Sequence, residues 1–400
     1  MEFIKVSQAE TIIQSRVKDF GSEEVPFERT LGRVLAEDLY ADRDLPPFNR
    51  PTVDGIAIQF HSFNTGIHQF RIRATQAAGE EPSGIEKDDE CVEIMTGAAL
   101  HDSVDTVIRY EDITIKDSLA TINVQEIKKG QNIHPQGKDK RKGDIVAKAN
   151  QIITPALVGL AASIGKIKLT VKRLPHIVVI TTGNEMVSAD TTPASYQLRR
   201  SNDSTIKAVL QPYDTKADTL HLNDDYSLIK RELMRCLQAY NVILMSGGVS
   251  MGKFDYVPKA LQELKVEELF HKVKQRPGKP FWFGAHGNDA LVFAFPGNPV
   301  SAFMCLHRYF LPWLESSLGI EQKPVYAVLN KNISFPHPLQ YFAQVKLAVN
   351  EKGNLLAEPL EGNGSGDFSN LIDTDAFLEL PLEKDKFKKG EVYRVWKYKF

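Results

Sequence analysis

Four short segments supply between them the bare glycines, carboxylates and hydroxyls that a phosphate site requires. They are Thr181-Thr182-Gly183-Asn184-Glu185, Asn223-Asp224-Asp225, Ser246-Gly247-Gly248-Val249-Ser250-Met251-Gly252 and Phe295-Pro296-Gly297-Asn298-Pro299. Glycines placed directly after an apolar run leave backbone amides uncovered, so a phosphate can approach them closely. The Ser246–Gly252 segment lacks the Lys-Ser/Thr ending of a P-loop, and taken alone it reads equally as a tight glycine turn. Pro296–Pro299 stands immediately before a helical pattern, so its amides and the positive end of that helix point at one mouth; alone it is a rigid helix start. Arg276 and Lys279 flank Pro277-Gly278 and put two cations within four residues, suited to an oxyanion or to an exposed basic turn. The acidic residues Glu185, Asp224, Asp225 and Asp255 would repel a phosphate unless a divalent cation lay between them. Oxygen-only donors select Mg²⁺ over a softer metal, with Asp224 and Asp255 as candidate ligands. One of Asp224 and Asp225 also suits the N-cap of the helix that follows.

These residues gain meaning from the elements before them. Ile177-Val178-Val179-Ile180, Asp218–Leu222, Val242–Met245 and Leu291–Phe295 are apolar runs that alternate with helical patterns near Ser204–Leu210, Tyr226–Gln238 and Val300–Leu314. Continuous apolar strands signal burial on both faces, as in a parallel sheet covered by helices. Each of the four segments that open the first paragraph follows such a strand. In an open doubly wound sheet that is where ligands bind.

The flanking regions read differently. Ser7 and Glu10 have the spacing of a capping box opening a helix over 7–20, which packs as scaffold on the α/β domain. Prolines between Arg43 and Pro51 predict an extended crossing. Short apolar runs from Gly55 to Val124 predict a small strand-rich domain. Gly137–Gly143 reads as a solvated charged loop, and Thr154-Pro155 to Gly165 as a short buried helix. Beyond Pro324 the helical period vanishes and strands predict a terminal β-barrel or sandwich, with a hairpin turn at Asn350–Asn354. The division is 1–48 with 131–172 as an extended linking domain, 49–130 as the small β-rich domain, 173–322 as the α/β domain and 323–400 as the barrel.

Composition narrows the function classes. The chain has 400 residues, with 49 basic and 51 acidic side chains and a net charge of −2. No global field therefore favours nucleic acid or an anionic membrane. The charged N-terminus and the lack of an apolar run of ~20 residues predict a cytoplasmic protein. Cys91, Cys236 and Cys305 are widely spaced in apolar surroundings and read as reduced, buried thiols.

Taken together, Pro46-Pro47-Phe48-Asn49, Val53-Asp54-Gly55, Ile94–Ala98, Thr182–Glu185, Ser246–Gly252 with Asp255-Tyr256, Pro277–Pro280 and Pro296–Ser301 resemble the molybdopterin molybdenumtransferase family, the MoeA and gephyrin E-domain group. The resemblance runs in order through essentially the whole chain. It implies an elongated homodimer of four domains with a MogA-like α/β domain, which faces the small β-rich domain of the other subunit. It implies Mg²⁺-dependent hydrolysis of adenylylated molybdopterin, entry of molybdate into the dithiolene, and release of molybdenum cofactor and AMP. By position, Ser246, Gly247, Gly248, Ser250, Gly252, Gly278, Pro296, Gly297, Asn298 and Pro299 would bind substrate. Asp54, Thr96, Glu185, Asp224 and Asp255 would be catalytic, with Asp54 and Thr96 entering from the partner subunit. Arg276, Lys279 and Ser365 would form the oxyanion pocket. A molybdopterin adenylyltransferase and apo-molybdoenzymes are the implied partners.

The chain departs from the family pattern at Pro51, Asn184, Arg200, Leu339 and Gln344, each time losing a polar, acidic or cationic group. Arg200 is placed to restore some of the lost positive charge. The departures keep open an alternative, a diverged molybdopterin- or nucleotide-binding paralogue without metal insertion. A partner-clustering protein of the gephyrin kind is a third reading.

Overall fold

The computed structural model describes residues 3–249, 256–287 and 290–399. The N-terminal helix spans Val6–Gln14 and buries Val6, Ala9 and Ile13 in the core of the α/β region. Its cap differs from the sequence expectation by two residues: the Lys5 amide donates to the Gln8 side-chain oxygen at 2.8 Å. Glu10 is drawn away to Arg308, 2.8 Å distant and almost wholly buried, because a desolvated guanidinium needs a carboxylate more than an exposed amide does.

The chain then forms a linking layer in which Ser22–Pro26 pairs with Lys168–Lys172, far apart in sequence. Between them sits a six-stranded sheet of Gly55–Ile58, Gln69–Gln76, Glu90–Ile94, Thr106–Arg109, Ile113–Lys116 and Leu119–Ile122. Glu90–Ile94 and Ile113–Lys116 went unseen in the sequence because each is short and carries charge. The helix Pro155–Ser163 begins as expected, with the Thr154 hydroxyl accepting from the Leu157 amide.

The α/β region is built from β1 (Ile177–Thr182), α1 (Asn202–Leu210), β2 (Ala217–Leu222), α2 (Tyr226–Ala239), β3 (Val242–Ser246), β4 (Glu267–His271), β5 (Gln275–Arg276), β6 (Trp282–His286), β7 (Ala290–Phe295) and α3 (Pro299–Cys305). The sheet order is β2-β1-β3-β7-β6-β4. The first four strands are parallel, as the apolar runs predict. β6 and β4 extend the sheet in antiparallel fashion, so it is mixed. Their absence from the sequence reading has a local cause: Gly284 interrupts β6, and β4 is a half-exposed strand with two glutamates. Separate apolar clusters cover the two faces, one including Val179, Leu244 and Phe293 and the other Ile180, Met245 and Val292. After α3 the chain continues through a π-helical turn, Leu306–Phe310, into the helix Leu311–Ser317.

The C-terminal strands β8 (Val325–Leu329), β9 (Gln340–Val349), β10 (Leu355–Pro359), β11 (Ala376–Leu380) and β12 (Val392–Lys397) close into a five-stranded barrel. Closure comes from β9 pairing with both β10 and β11. The β9–β10 hairpin turns at Asn350, whose side-chain oxygen accepts the amides of Lys352 and Asn354. β5 is an added strand: it leaves the α/β region to pair in parallel with β9, Gln275 opposite Gln340 and Arg276 opposite Tyr341.

Candidate functional site

Strand register assembles the site. Thr181 lies beside His221 on β2 and beside Ser246 on β3, and Ser246 lies beside Phe295 on β7. The segments after these strands must therefore emerge along one rim.

Ser246-Gly247-Gly248 turns tightly over Thr182. Gly247 and Gly248 have φ of +94° and +70°, and a Cβ at Gly248 would fall 2.8 Å from the Thr182 hydroxyl. Only glycine fits such a turn without strain. The Gly247 amide donates to the Phe295 carbonyl at 3.3 Å, and Gly297 comes so near that a Cβ there would lie 3.6 Å from the Gly247 Cα. Asn202, at the start of α1, joins both loops. Its side-chain amide donates to the Ser246 hydroxyl at 2.7 Å and to the Gly297 carbonyl at 2.8 Å. Asn202 was missed as a functional residue in the sequence. The only signal was a helix opening on Asn directly after Arg200-Ser201.

Acidic residues stand beside these loops. The Asn184 amide donates to Asp224 at 3.3 Å, and the Asp224 amide donates to the Asn184 side-chain oxygen at 3.0 Å, tying the first two strand-end loops together. Asp225 is the helix cap, accepting from Leu228 at 2.7 Å, which leaves Asp224 as the rim carboxylate. Glu185 folds back against Gly183. Burial lowers the basicity of His221, helped by the positive charge of Arg200, while Asp203 and Glu185 oppose the shift. Arg200 thus lies among rim carboxylates, and its Nε is buried without a hydrogen-bond partner.

The Pro296–Pro299 loop also faces a second cavity of about 460 Å³ between the α/β region and the barrel. Arg276, Gly278, Lys279, Pro296, Asn298 and Ser365 all line it. The Asn298 side chain donates to the Ser365 hydroxyl at 2.8 Å, and the Val300 amide donates to the Ser365 carbonyl at 3.2 Å. The two cations rest against aromatic faces, Arg276 at 5.9 Å from the Phe335 centroid and Lys279 at 4.6 Å from that of Phe3. Such contacts orient a cation while leaving its charge available to an anion. Leu339, Gln344 and His337 also stand in its wall. Gln344 accepts from the Asn370 side chain at 3.1 Å.

Asp54 and Thr96 meet in the small β-rich sheet. One carboxylate oxygen of Asp54 accepts both the amide and the hydroxyl of Thr96, each at 2.6 Å. These bonds hold the Asp54 carboxyl below its usual range. Ser250, Gly252 and Asp255, three of the expected site residues, lie outside the described residues. Among the described residues no group of three or more His, Cys, Asp or Glu side chains could hold a metal ion. A larger, more apolar cleft of about 880 Å³, lined by Phe303, His307, Trp396 and Tyr398 among others, contains none of the expected site residues.

Comparison with known proteins agrees along the whole chain. Residues 4–165 match the MoeA N-terminal region (domains I and II), 178–316 a probable molybdopterin binding domain, and 326–398 the MoeA C-terminal region (domain IV). A molybdopterin molybdenumtransferase of Synechocystis sp. is 37% identical over 393 residues, covering 98% of both chains. One from Bacillus subtilis is 28% identical, covering 94% of this chain and 89% of its own. The crystal structure of a molybdopterin biosynthesis MoeA protein from Pyrococcus horikosii superposes with a TM-score of 0.83 at 28% identity, covering 100% of both.

Proposed function

The chain belongs to the MoeA family of molybdopterin molybdenumtransferases, and from that premise we propose how its own residues perform the transfer. It is a transferase of molybdenum cofactor biosynthesis that acts on molybdopterin. In the finer reading the substrate is adenylylated molybdopterin, molybdate supplies the metal, and AMP leaves as molybdenum cofactor forms.

One observation carries this reading. The Pro296–Pro299 loop contributes Gly297 to the glycine rim and Asn298 to the cation-lined cavity, so the two half-sites share a single rigid segment. The rim, with Ser246, Gly247, Gly248 and Gly297, suits the phosphate and pterin parts of the substrate. The cavity, with Arg276, Lys279 and Ser365, suits a tetrahedral dianion held by cations and a hydroxyl. Ser250, Gly252 and Asp255 belong to the same proposal by their place in the motif.

Glu185 and Asp224 offer only oxygen donors, which fits Mg²⁺. With fewer than three such side chains grouped among the described residues, the ion would take its remaining ligands from substrate phosphates and water. Bound there, Mg²⁺ would neutralise phosphate charge. Asp224, with Asp255, is the proposed protein ligand, and Arg200 adds a fixed positive charge at the same rim. Asp54 and Thr96 would approach the rim from the partner subunit of a homodimer. No helix among the described residues is long and apolar enough to cross a membrane. We place the protein in the cytoplasm, where an adenylyltransferase would deliver its substrate and apo-molybdoenzymes would collect its product.

Incubation of the purified chain with adenylylated molybdopterin, molybdate and Mg²⁺ tests the reading. AMP release with cofactor formation, abolished by chelation and by Asp255→Asn, is expected. Tight retention of the nucleotide without AMP release would instead support the binding paralogue that the change to Gln344 raises. Gln344→Arg should tighten molybdate binding by about tenfold, the scale of one added charge-assisted hydrogen bond.

A further inference from the structure

We propose that Gln275 and Tyr309 are positioning residues that set the shape of the oxyanion cavity, by fixing the peptide between its two cations. The inference rests on the reading of that cavity as the molybdate site.

Gln275 is completely buried, and its side chain is aimed along its own turn. Its amide nitrogen donates to the Gly278 carbonyl at 2.9 Å and approaches the Cys305 sulfur at 3.5 Å. Its amide oxygen accepts from the Tyr309 hydroxyl. An amide has two distinguishable ends. With the nitrogen committed to a carbonyl, the oxygen requires a donor, and Tyr309 supplies it from the π-helical turn. Burial pushes the Tyr309 phenol far above its ordinary range, so it stays a donor.

The turn has little freedom to relax in another way. Gly278 has φ of +88°, and a Cβ there would meet the Cys305 sulfur at 2.7 Å and the Gln275 nitrogen at 2.9 Å. The Val273 amide closes the base of the turn on the Lys279 carbonyl at 3.0 Å. The backbone of the same segment is held from outside by the barrel, where the Gln340 amide donates to the Lys274 carbonyl at 2.9 Å. Gln275 therefore stands where loop, helix and barrel meet. Rotating its amide would turn the Gly278 carbonyl and shift Arg276 and Lys279 relative to Asn298 and Ser365. A negative carbonyl dipole facing the cavity would weaken an anion site, and the Gln275 bond draws this one toward the buried amide and Cys305.

The test uses the full chain with Tyr309→Phe, which removes one hydroxyl, and Gln275→Met, which keeps the volume and removes both polar ends. Four quantities are compared with wild type: molybdate binding by calorimetry without the nucleotide, the molybdate KM, the nucleotide KM, and kcat. Tyr309→Phe should weaken molybdate binding and raise its KM about fivefold, as expected for one neutral hydrogen bond. Gln275→Met should do so more strongly, while the nucleotide KM and kcat stay within twofold. Lowered melting temperature with unchanged molybdate binding, or equal losses for both substrates, would reduce the pair to core packing and overturn the inference. Wild-type protein that binds molybdate but forms no cofactor would sink the functional reading alone, because the binding comparison still decides the role of Gln275. Wild-type protein that binds no molybdate would sink both.

Discussion

Asn202 bonds two loops at once, so its loss should be felt at both. Asn202→Ala would strand the buried Ser246 hydroxyl, at a cost of about 1–3 kcal/mol if left unpaired, and release the exposed Gly297 carbonyl. We expect a lower melting temperature and at least tenfold less cofactor formation, the second measured at a temperature where the variant remains folded. A second prediction concerns Asp54. Thr96→Val removes the hydroxyl but keeps the amide, so the carboxyl should rise partway toward the ordinary ~3.9. NMR titration of the Asp54 carboxyl would check this, and an unmoved value would show that the amide alone holds it. Individual glycines, cations and carboxylates were legible in the sequence because each follows an apolar run. Asn202, Gln275 and Tyr309 were not, because their roles depend on partners 44 and 95 residues away for Asn202 and 34 residues away for the Gln275–Tyr309 pair.

At the scale of elements, the parallel strands β1, β3 and β7 could be read directly, since burial on both faces imposes an uninterrupted apolar run, whereas β2 at the edge is half-exposed and mixes polar residues with leucines. The antiparallel strands β4 and β6 could not, because β4 lies at the sheet edge and carries two glutamates, while a glycine interrupts the short, buried β6. The capping-box reading failed for a tertiary reason: Glu10 serves Arg308, and the helix starts on Lys5 instead. The small sheet yields a sharp prediction. A Cβ on Gly55 would lie 1.9 Å from the Ile108 carbonyl, at the end of the pairing between two strands where Gly55 faces Arg109. Gly55→Ala should therefore force those strands apart and destabilise this sheet by more than about 3 kcal/mol. Loss of amide-exchange protection confined to residues 55–58 and 106–109 is the expected signature. Unchanged protection there would mean that the strands can slide to make room.

Across the whole molecule, Arg308 clamps the N-terminal helix to the barrel through Glu10 at 2.8 Å and Glu379 at 3.2 Å. Its immediate neighbour in the chain, His307, packs between Phe303 and Tyr398, and the His307 Nε2 is buried without a partner. Burial pushes its pKa down to about 3. The unfolded chain, with an ordinary histidine near ~6.5, then binds more protons than the folded one between those two values. Stability is fully present above that upper value and falls as the pH drops toward the lower one, by at most about 1.4 kcal/mol per unit. His307→Phe should flatten this part of the acid-denaturation curve; an identical slope would assign the sensitivity to other groups. The two-residue strand β5 has a different implication, for attempts to dissect the chain. A fragment cut at residue 323 would keep all five staves of its barrel yet lose the Lys274 carbonyl that secures Gln340. Its first long stave would fray where the cavity wall begins, so the excised piece should fold but grip no anion.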